Sequence, residues 1–272
     1  MSVITFDMKS CTGCGTCEKD CPMGIIEFTG KSPSIQEKHA SSCISCGHCA
    51  SVCPYGSIAI DGSDPGRLDN IDQEILPSAE QMSLAIRARR SVRSFRTTPV
   101  QENIVTSLVN TARYAPTSGN SQLVGWTIIR TPGELRRITE HVIDYIRFLA
   151  ASDDPAAAAY RFADMVKDWE QGQDRIFRGA PAVVLTHAPL SHGAAAVDCA
   201  IALTCFDLAA FSAGLGTCWC GFFMMAYRNW EPLRKAIPVP EGHYYFGAMM
   251  LGYPSYKYKR IPPRKNAVIN WM

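Results

Sequence analysis

Two short cysteine runs near the start of the chain constrain it more than any other feature. The first reads Cys11-Thr12-Gly13-Cys14-Gly15-Thr16-Cys17-Glu18-Lys19-Asp20-Cys21-Pro22, the second Cys43-Ile44-Ser45-Cys46-Gly47-His48-Cys49-Ala50-Ser51-Val52-Cys53-Pro54. Both are C-x2-C-x2-C-x3-C-P. Three closely spaced thiolates can wrap one corner of an iron–sulfur cube. The fourth lies too far along to close the same cube and ligates its neighbour. On that rule one [4Fe–4S] cluster takes Cys11, Cys14, Cys17 and Cys53, and the other takes Cys43, Cys46, Cys49 and Cys21. Structural zinc prefers paired C-x2-C knuckles that give four ligands in a tetrahedron. A third cysteine and a Cys-Pro in each run do not suit that geometry. Disulfides need an oxidising compartment, and Met1-Ser2-Val3-Ile4-Thr5-Phe6-Asp7 shows no basic or apolar part of an export signal. A cytoplasmic protein is expected.

The two runs belong to an internal repeat with an offset of 32 residues, in which Cys11, Cys14, Gly15, Cys17, Cys21, Pro22, Gly24 and Ile26 recur as Cys43, Cys46, Gly47, Cys49, Cys53, Pro54, Gly56 and Ile58. Such self-similarity marks a duplicated supersecondary unit. Each half is expected to be a short strand, a cluster-binding loop, a helical turn and another strand. So small a core is marginal alone, and metal binding supplies the missing folding free energy. Residues 1–60 thus predict a ferredoxin-like domain for two [4Fe–4S] clusters. His48 lies inside a run whose cysteines are all assigned, so it is read as a surface residue or one behind the ligands. Residues 61–78, rich in Gly, Pro, Asp and Asn without a sustained period, predict a linker.

A second domain is expected over 79–272, long enough for a core of its own in a chain of 272 residues. Helices are predicted at 79–88, 101–115, 133–151, 155–171, 194–214 and 229–236, and strands at 126–130, 182–186, 217–222 and 245–251. The apolar tract 194–214 carries Asp198 and Asp207, which makes it a poor membrane span and a better buried or subunit-contacting helix. A net charge of +2 is too small for a nucleic-acid binder. Cys199 and Cys205 on the apolar tract read as packing residues. Cys218 and Cys220 alternate around Trp219 and should share one face of a strand.

Three polar stretches in this domain can carry chemistry. Arg89-Arg90-Ser91-Val92-Arg93 places a hydroxyl among guanidinium forks, a set that suits a phosphate dianion or a solvated basic surface. Pro116-Thr117-Ser118-Gly119-Asn120-Ser121-Gln122 presents hydroxyl and amide groups able to meet a heterocycle, or forms an ordinary turn. The tail Tyr256-Lys257-Tyr258-Lys259-Arg260 offers a second basic clamp or a charged terminus.

With Gly214-Leu215-Gly216-Thr217-Cys218-Trp219 and Gly252-Tyr253-Pro254, these stretches resemble the FMN-dependent nitroreductase family from about Ala79 onward. The resemblance implies an α+β fold with a mostly antiparallel central sheet flanked by helices. It also implies a homodimer holding FMN at the subunit interface. Within the arginine motif, which includes Arg90, the residues Arg89, Ser91 and Arg93 would hold the FMN phosphate and the ribityl or pyrimidine edge. Pro116, Thr117, Ser118 and Asn120 would reach the flavin from the partner subunit. Trp219, Cys220 and Gly221 would line the ring, and Lys259 and Arg260 would return to the phosphate. No residue stands out as a general acid.

Clusters transfer single electrons and flavins one or two, so the expected protein is an oxidoreductase, with no membrane span and no nucleic-acid partner. Reduced ferredoxin is the expected electron donor, and nitroaromatics, quinones or activated alkenes are the expected acceptors. The alternatives are an NAD(P)H-dependent nitroreductase whose clusters serve as relay or brace, and a non-enzymatic electron carrier or redox sensor.

Overall fold

The computed structural model describes residues 4–62, 68–152 and 155–272; positions 63–67 of the expected linker lie outside this range. The chain divides into two compact units, Met1–Leu76 with Ser118–Ser121, and Pro77–Thr117 with Gln122–Met272.

The first unit contains strands β1 (Ile4–Phe6), β2 (Ile26–Thr29), β3 (Ser32–Ile35) and β4 (Ile58–Ile60), with short helices α1 (Thr16–Asp20) and α2 (His48–Ser51). Strand β1 pairs antiparallel with β4, Ile4 opposite Ile60, and β2 with β3, Ile26 opposite Ile35. Each pair therefore joins strands from different halves of the repeat. Both helices start after a left-handed glycine, Gly15 at φ 73° and Gly47 at φ 81°, a conformation that favours a residue without Cβ. The core is small: Ile4, Ile25, Ile26, Ile58 and Ala50 pack with Cys17 and Cys49. His48 faces Asp20 at 3.6 Å with both side chains largely exposed, a weak surface pair.

The second unit is built on an antiparallel sheet of β5 (Gly125–Ile129), β6 (Ala182–Pro189), β8 (His243–Gly252) and β7 (Gly216–Trp219), in that spatial order. Successive strand residues face opposite sides, and both sides are covered. Val183, Leu185, Ala248 and Met250 pack with α5 (Pro132–Ala150), α7 (Phe162–Glu170) and α9 (Gly221–Asn229). Ala182, Val184, Met249 and Leu251 pack with α4 (Glu102–Ala112) and α8 (Ala195–Ser212). This double cover explains why β6 reads as a continuous apolar run. Helix α3 (Ala79–Ala88) begins with a capping box in which Ser78 and Gln81 satisfy each other's backbone amides. By length and composition alone α8 could cross a membrane; here it packs against β6, β7, β8 and α4.

Three predicted elements differ from those observed. The stretch 155–171 is not one helix: Arg161 adopts φ 55°, separating α6 (Pro155–Ala159) from α7. The strand predicted over 217–222 stops at Trp219 because α9 starts at Gly221, although Cys218 and Cys220 are both buried and Trp219 exposed, as alternation requires. The helix predicted from Asn229 starts later. Trp230 is extended between α9 and α10 (Glu231–Ala236), and Pro232 in the first turn of α10 cannot continue a preceding helix.

At the bulge after Thr186, His187 Nδ1 lies 2.9 Å from His243 Nδ1, so one ring donates and the other accepts. Burial first, and then His243, hold His187 below the ordinary imidazole value of 6.5. The unfolded chain therefore takes up a proton that the folded one refuses. Stability should be flat above pH 6.5 and fall as the pH drops below it. In His187→Gln that slope should shrink in denaturation curves recorded across pH.

Candidate functional site

The eight repeat cysteines surround two separate cavities of the first unit. Cys11, Cys14, Cys17 and Cys53 line one, with Phe6, Phe28 and Ile58. Cys21, Cys43, Cys46 and Cys49 line the other, with Ile4, Ile25 and Ile60. Among the described residues no three Cys, His, Asp or Glu side chains converge to hold a single ion; each cysteine quartet instead lines a cavity of its own. Ser57 N donates to Cys53 Sγ at 3.3 Å. Burial pushes the Cys49 thiol up to about 11, so metal binding there must displace a proton. Asn120, in the segment Ser118–Ser121 of this unit, donates its Nδ2 to the carbonyls of Ile44 and Ser45, each at 3.0 Å.

In the second unit the arginine motif leaves α3 at Arg89 and runs along the sheet. Ser91 bridges Thr217 in parallel, and Val92 N donates to Thr217 O at 2.8 Å. Farther on, Phe95 bridges Pro254, Arg96 N donates to Tyr253 O at 2.8 Å and Ser255 N to Ser94 O at 3.0 Å. The motif is thus pinned to β7 and to the residues just past β8. Gly216 permits the close approach: a Cβ there would lie 2.4 Å from Val92 Cγ2.

A buried carboxylate anchors the start of the motif. Asp207 on α8 accepts a short hydrogen bond from Thr217 Oγ1 and pairs with Arg89 Nη1 at 3.2 Å. Burial raises its pKa; Thr217 first, then Arg89, oppose the rise. Arg90 Nη1 donates to Arg89 O at 2.7 Å, but Arg90 Nη2 is buried without a hydrogen-bond partner. Such a donor calls for an acceptor. Arg90 lines a cavity of about 410 Å³ together with Arg89, Arg96, Lys257, Tyr253 and Tyr256. An unsatisfied guanidinium beside three further cationic residues suits a phosphorylated ligand.

The other predicted residues are distributed as follows. Trp219 is 43% exposed beside β8, where Gly247 leaves room for its ring. Cys220 is buried and Gly221 opens α9. Burial raises the thiols of Cys218 and Cys220 above their ordinary value, which suits packing residues rather than nucleophiles. Of the adjacent aromatic run, Phe223 and Tyr227 lie wholly in the core, while Phe222 meets Tyr160 and Phe162 edge-on. Pro116 is exposed, and Thr117 Oγ1 accepts from Gln122 N at 3.0 Å. Lys259 and Arg260 line a separate groove with Leu84, Ala85 and Phe211. Lys257, which the basic pattern did not single out, is the tail cation on the Arg89–Arg90 cavity.

Residues 86–253 match the Nitroreductase family, and residues 10–57 match the 4Fe-4S dicluster domain. A protein of Methanothermobacter thermautotrophicus, provisionally named an NADH dehydrogenase/NAD(P)H nitroreductase, is 26% identical over 175 residues, spanning 63% of this chain and 76% of its own. Two solved structures share the fold. A nitroreductase with bound FMN from Bacteroides fragilis superposes with a TM-score of 0.55 at 22% identity, covering 70% of this chain and 99% of its own. A nitroreductase with bound FMN from Desulfitobacterium hafniense gives 0.55 at 23% identity, covering 68% and 96%.

Replacing Thr217 with Val removes one of the two partners of buried Asp207. It should cost about 1–3 kcal/mol of stability. Thr217→Ser should restore most of the loss, as read from chemical denaturation of both variants.

Proposed function

The chain belongs to the nitroreductase family and carries a 4Fe-4S dicluster domain, and we propose that it is an FMN-dependent oxidoreductase fed by its clusters. Electrons from reduced ferredoxin pass through two [4Fe–4S] clusters to FMN and on to small electrophilic acceptors such as nitroaromatics, quinones or activated alkenes. The observation that carries the flavin assignment is Arg90, with its buried and unpartnered Nη2, lining a cavity with Arg89, Arg96 and Lys257. Each cofactor supplies its own chemistry, single electrons at the clusters and one or two at FMN.

The chain's residues bind and orient. Cys11, Cys14, Cys17 and Cys53 are assigned to one cluster, and Cys43, Cys46, Cys49 and Cys21 to the other. Arg89, Arg90 and Ser91 are assigned to the FMN phosphate, with Lys257 beside them and Lys259 and Arg260 on the adjoining groove. Arg93 is assigned to the ribityl or pyrimidine edge. Trp219, Cys220 and Gly221 flank the ring, and Pro116, Thr117, Ser118 and Asn120 approach it from the partner subunit. Preorganised cations favour the reduced, more negative flavin.

A homodimer is part of the proposal. Helix α8 is apolar all round, yet Val197 is exposed and Ile201, Cys205 and Leu208 are only half-buried. A second copy would cover that surface. The proposed location is the cytoplasm. The name of the Methanothermobacter relative keeps NAD(P)H open as the donor.

Arg89→Ala should release FMN while the cluster absorbance and a cooperative thermal transition persist. Stoichiometric flavin retained in that variant would remove the arginine motif from the binding site.

A further inference from the structure

The turn between α7 and β6 carries an arginine that no motif explains. Asp174 pins the turn: its Oδ1 accepts from Ile176 N at 2.8 Å and Phe177 N at 2.9 Å, and its Oδ2 from Gly179 N at 3.2 Å. Ile176 and Phe177 are buried. Held at both ends, Arg178 is forced to φ 57°. A side chain with a Cβ is strained in the left-handed region, where glycine is not. Gly179 shows the easier solution one residue later, at φ 68°. Strain of this kind persists where the surroundings over-determine it, and it clusters at binding sites.

The guanidinium of Arg178 is not released to solvent in return. Arg178 is half-buried; burial first, then neighbouring Arg93, push it towards losing its charge, with Asp174 opposing them. The backbone brings the two arginines together. A Cβ on Gly252 would lie 2.6 Å from Pro181 Cδ and 2.9 Å from Phe95 Cδ1, so the Arg178–Pro181 and Arg93–Phe95 segments meet at the end of β8. Ala180 and Phe177 pack in the same core cluster as Cys218, the residue after Thr217 on β7. The nearby Arg175 is engaged by Asp168 at 3.0 Å. Among the described residues neither Arg93 nor Arg178 makes an ion pair; Arg93 Nη1 reaches only Ser91 O at 3.3 Å.

Asp174 is the carboxylate that offsets this pair, but its oxygens are taken by three backbone N–H groups. Two cations beside one such anion leave positive charge that a ligand anion would neutralise. We infer that Arg178 is a flavin-binding residue whose guanidinium joins that of Arg93 at the part of FMN that gains negative charge on reduction. The inference rests on the FMN assignment above. It adds a residue from outside the arginine motif, held by a turn built for it at the expense of local ease.

The test uses the full-length holoprotein with Arg178→Gln and Arg178→Gly. It measures the FMN dissociation constant, the flavin midpoint potential with the clusters as internal reference, and the melting temperature of the flavin-free form. Arg178→Gln should weaken reduced FMN about tenfold more than oxidised FMN. For a two-electron couple this lowers the flavin potential by about 30 mV, with cluster potentials unmoved. Arg178→Gly should bind FMN at least tenfold more weakly, although the flavin-free form melts no lower than wild type because the strain is gone. A purely structural arginine would give the opposite pattern, lower melting with unchanged affinity and potential, and would overturn the inference. Wild-type protein that binds no FMN would overturn the flavin assignment and this inference together; undiminished binding and potential in both variants would overturn this inference alone.

Discussion

A carboxylate buried on an apolar helix is tolerated only where donors meet it, and the second unit is arranged around one such group. Asp207 takes the Thr217 hydroxyl from β7 and the Arg89 guanidinium from the end of α3. These contacts tie the end of α3 to α8 and β7, two successive elements that lie far along the chain from it. The backbone bond from Val92 N to Thr217 O then lays the arginine motif along the sheet, and Gly216 gives it the space. Removing a buried partner leaves an uncompensated charge, a loss several times larger than that of a surface ion pair. The basic cavity is therefore as firmly placed as the core beside it, which a site for a charged ligand requires.

The first unit follows a different physics. Its apolar core is a handful of isoleucines and an alanine around two cysteines, too little to offset the conformational entropy of its chain. The remaining cohesion has to come from the two groups that its cavities accept. Pairing β1 with β4 and β2 with β3 makes each half of the repeat complete the other's sheet. The same interleaving puts Cys53 beside the first run and Cys21 beside the second.

Much of this was legible in the chain, for identifiable reasons. Cysteine spacing is a rigid code because a cube has few ways to be wrapped, and the two quartets it groups are those that line the two cavities. Long segments declare themselves, α5 by its apolar stripe and α8 by an unbroken apolar run, and both lie within two residues of their expected bounds. Local backbone choices were less visible. Arg161 at φ 55° breaks an otherwise helical pattern, and nothing in its identity announces a left-handed residue. Gly221 starts a helix where the expected strand ran on to Phe222. The basic tail offers Lys257, Lys259 and Arg260 in close succession, and only the fold places Lys257 on the cavity with Arg89 and Arg90. Arg178 belongs to no motif; its signal is a capped turn and an unpaired neighbour, both properties of the folded chain.

The central claim is that electrons enter at the clusters and leave at the flavin. An anaerobic spectral titration of the holoprotein tests it most directly, with NADH, NADPH and a reduced low-potential ferredoxin added in turn while flavin and cluster bleaching are followed separately. The account predicts rapid bleaching of clusters and flavin by reduced ferredoxin alone. Fast flavin bleaching by a pyridine nucleotide, with the clusters lagging, would contradict it and reduce the first unit to a relay or a brace.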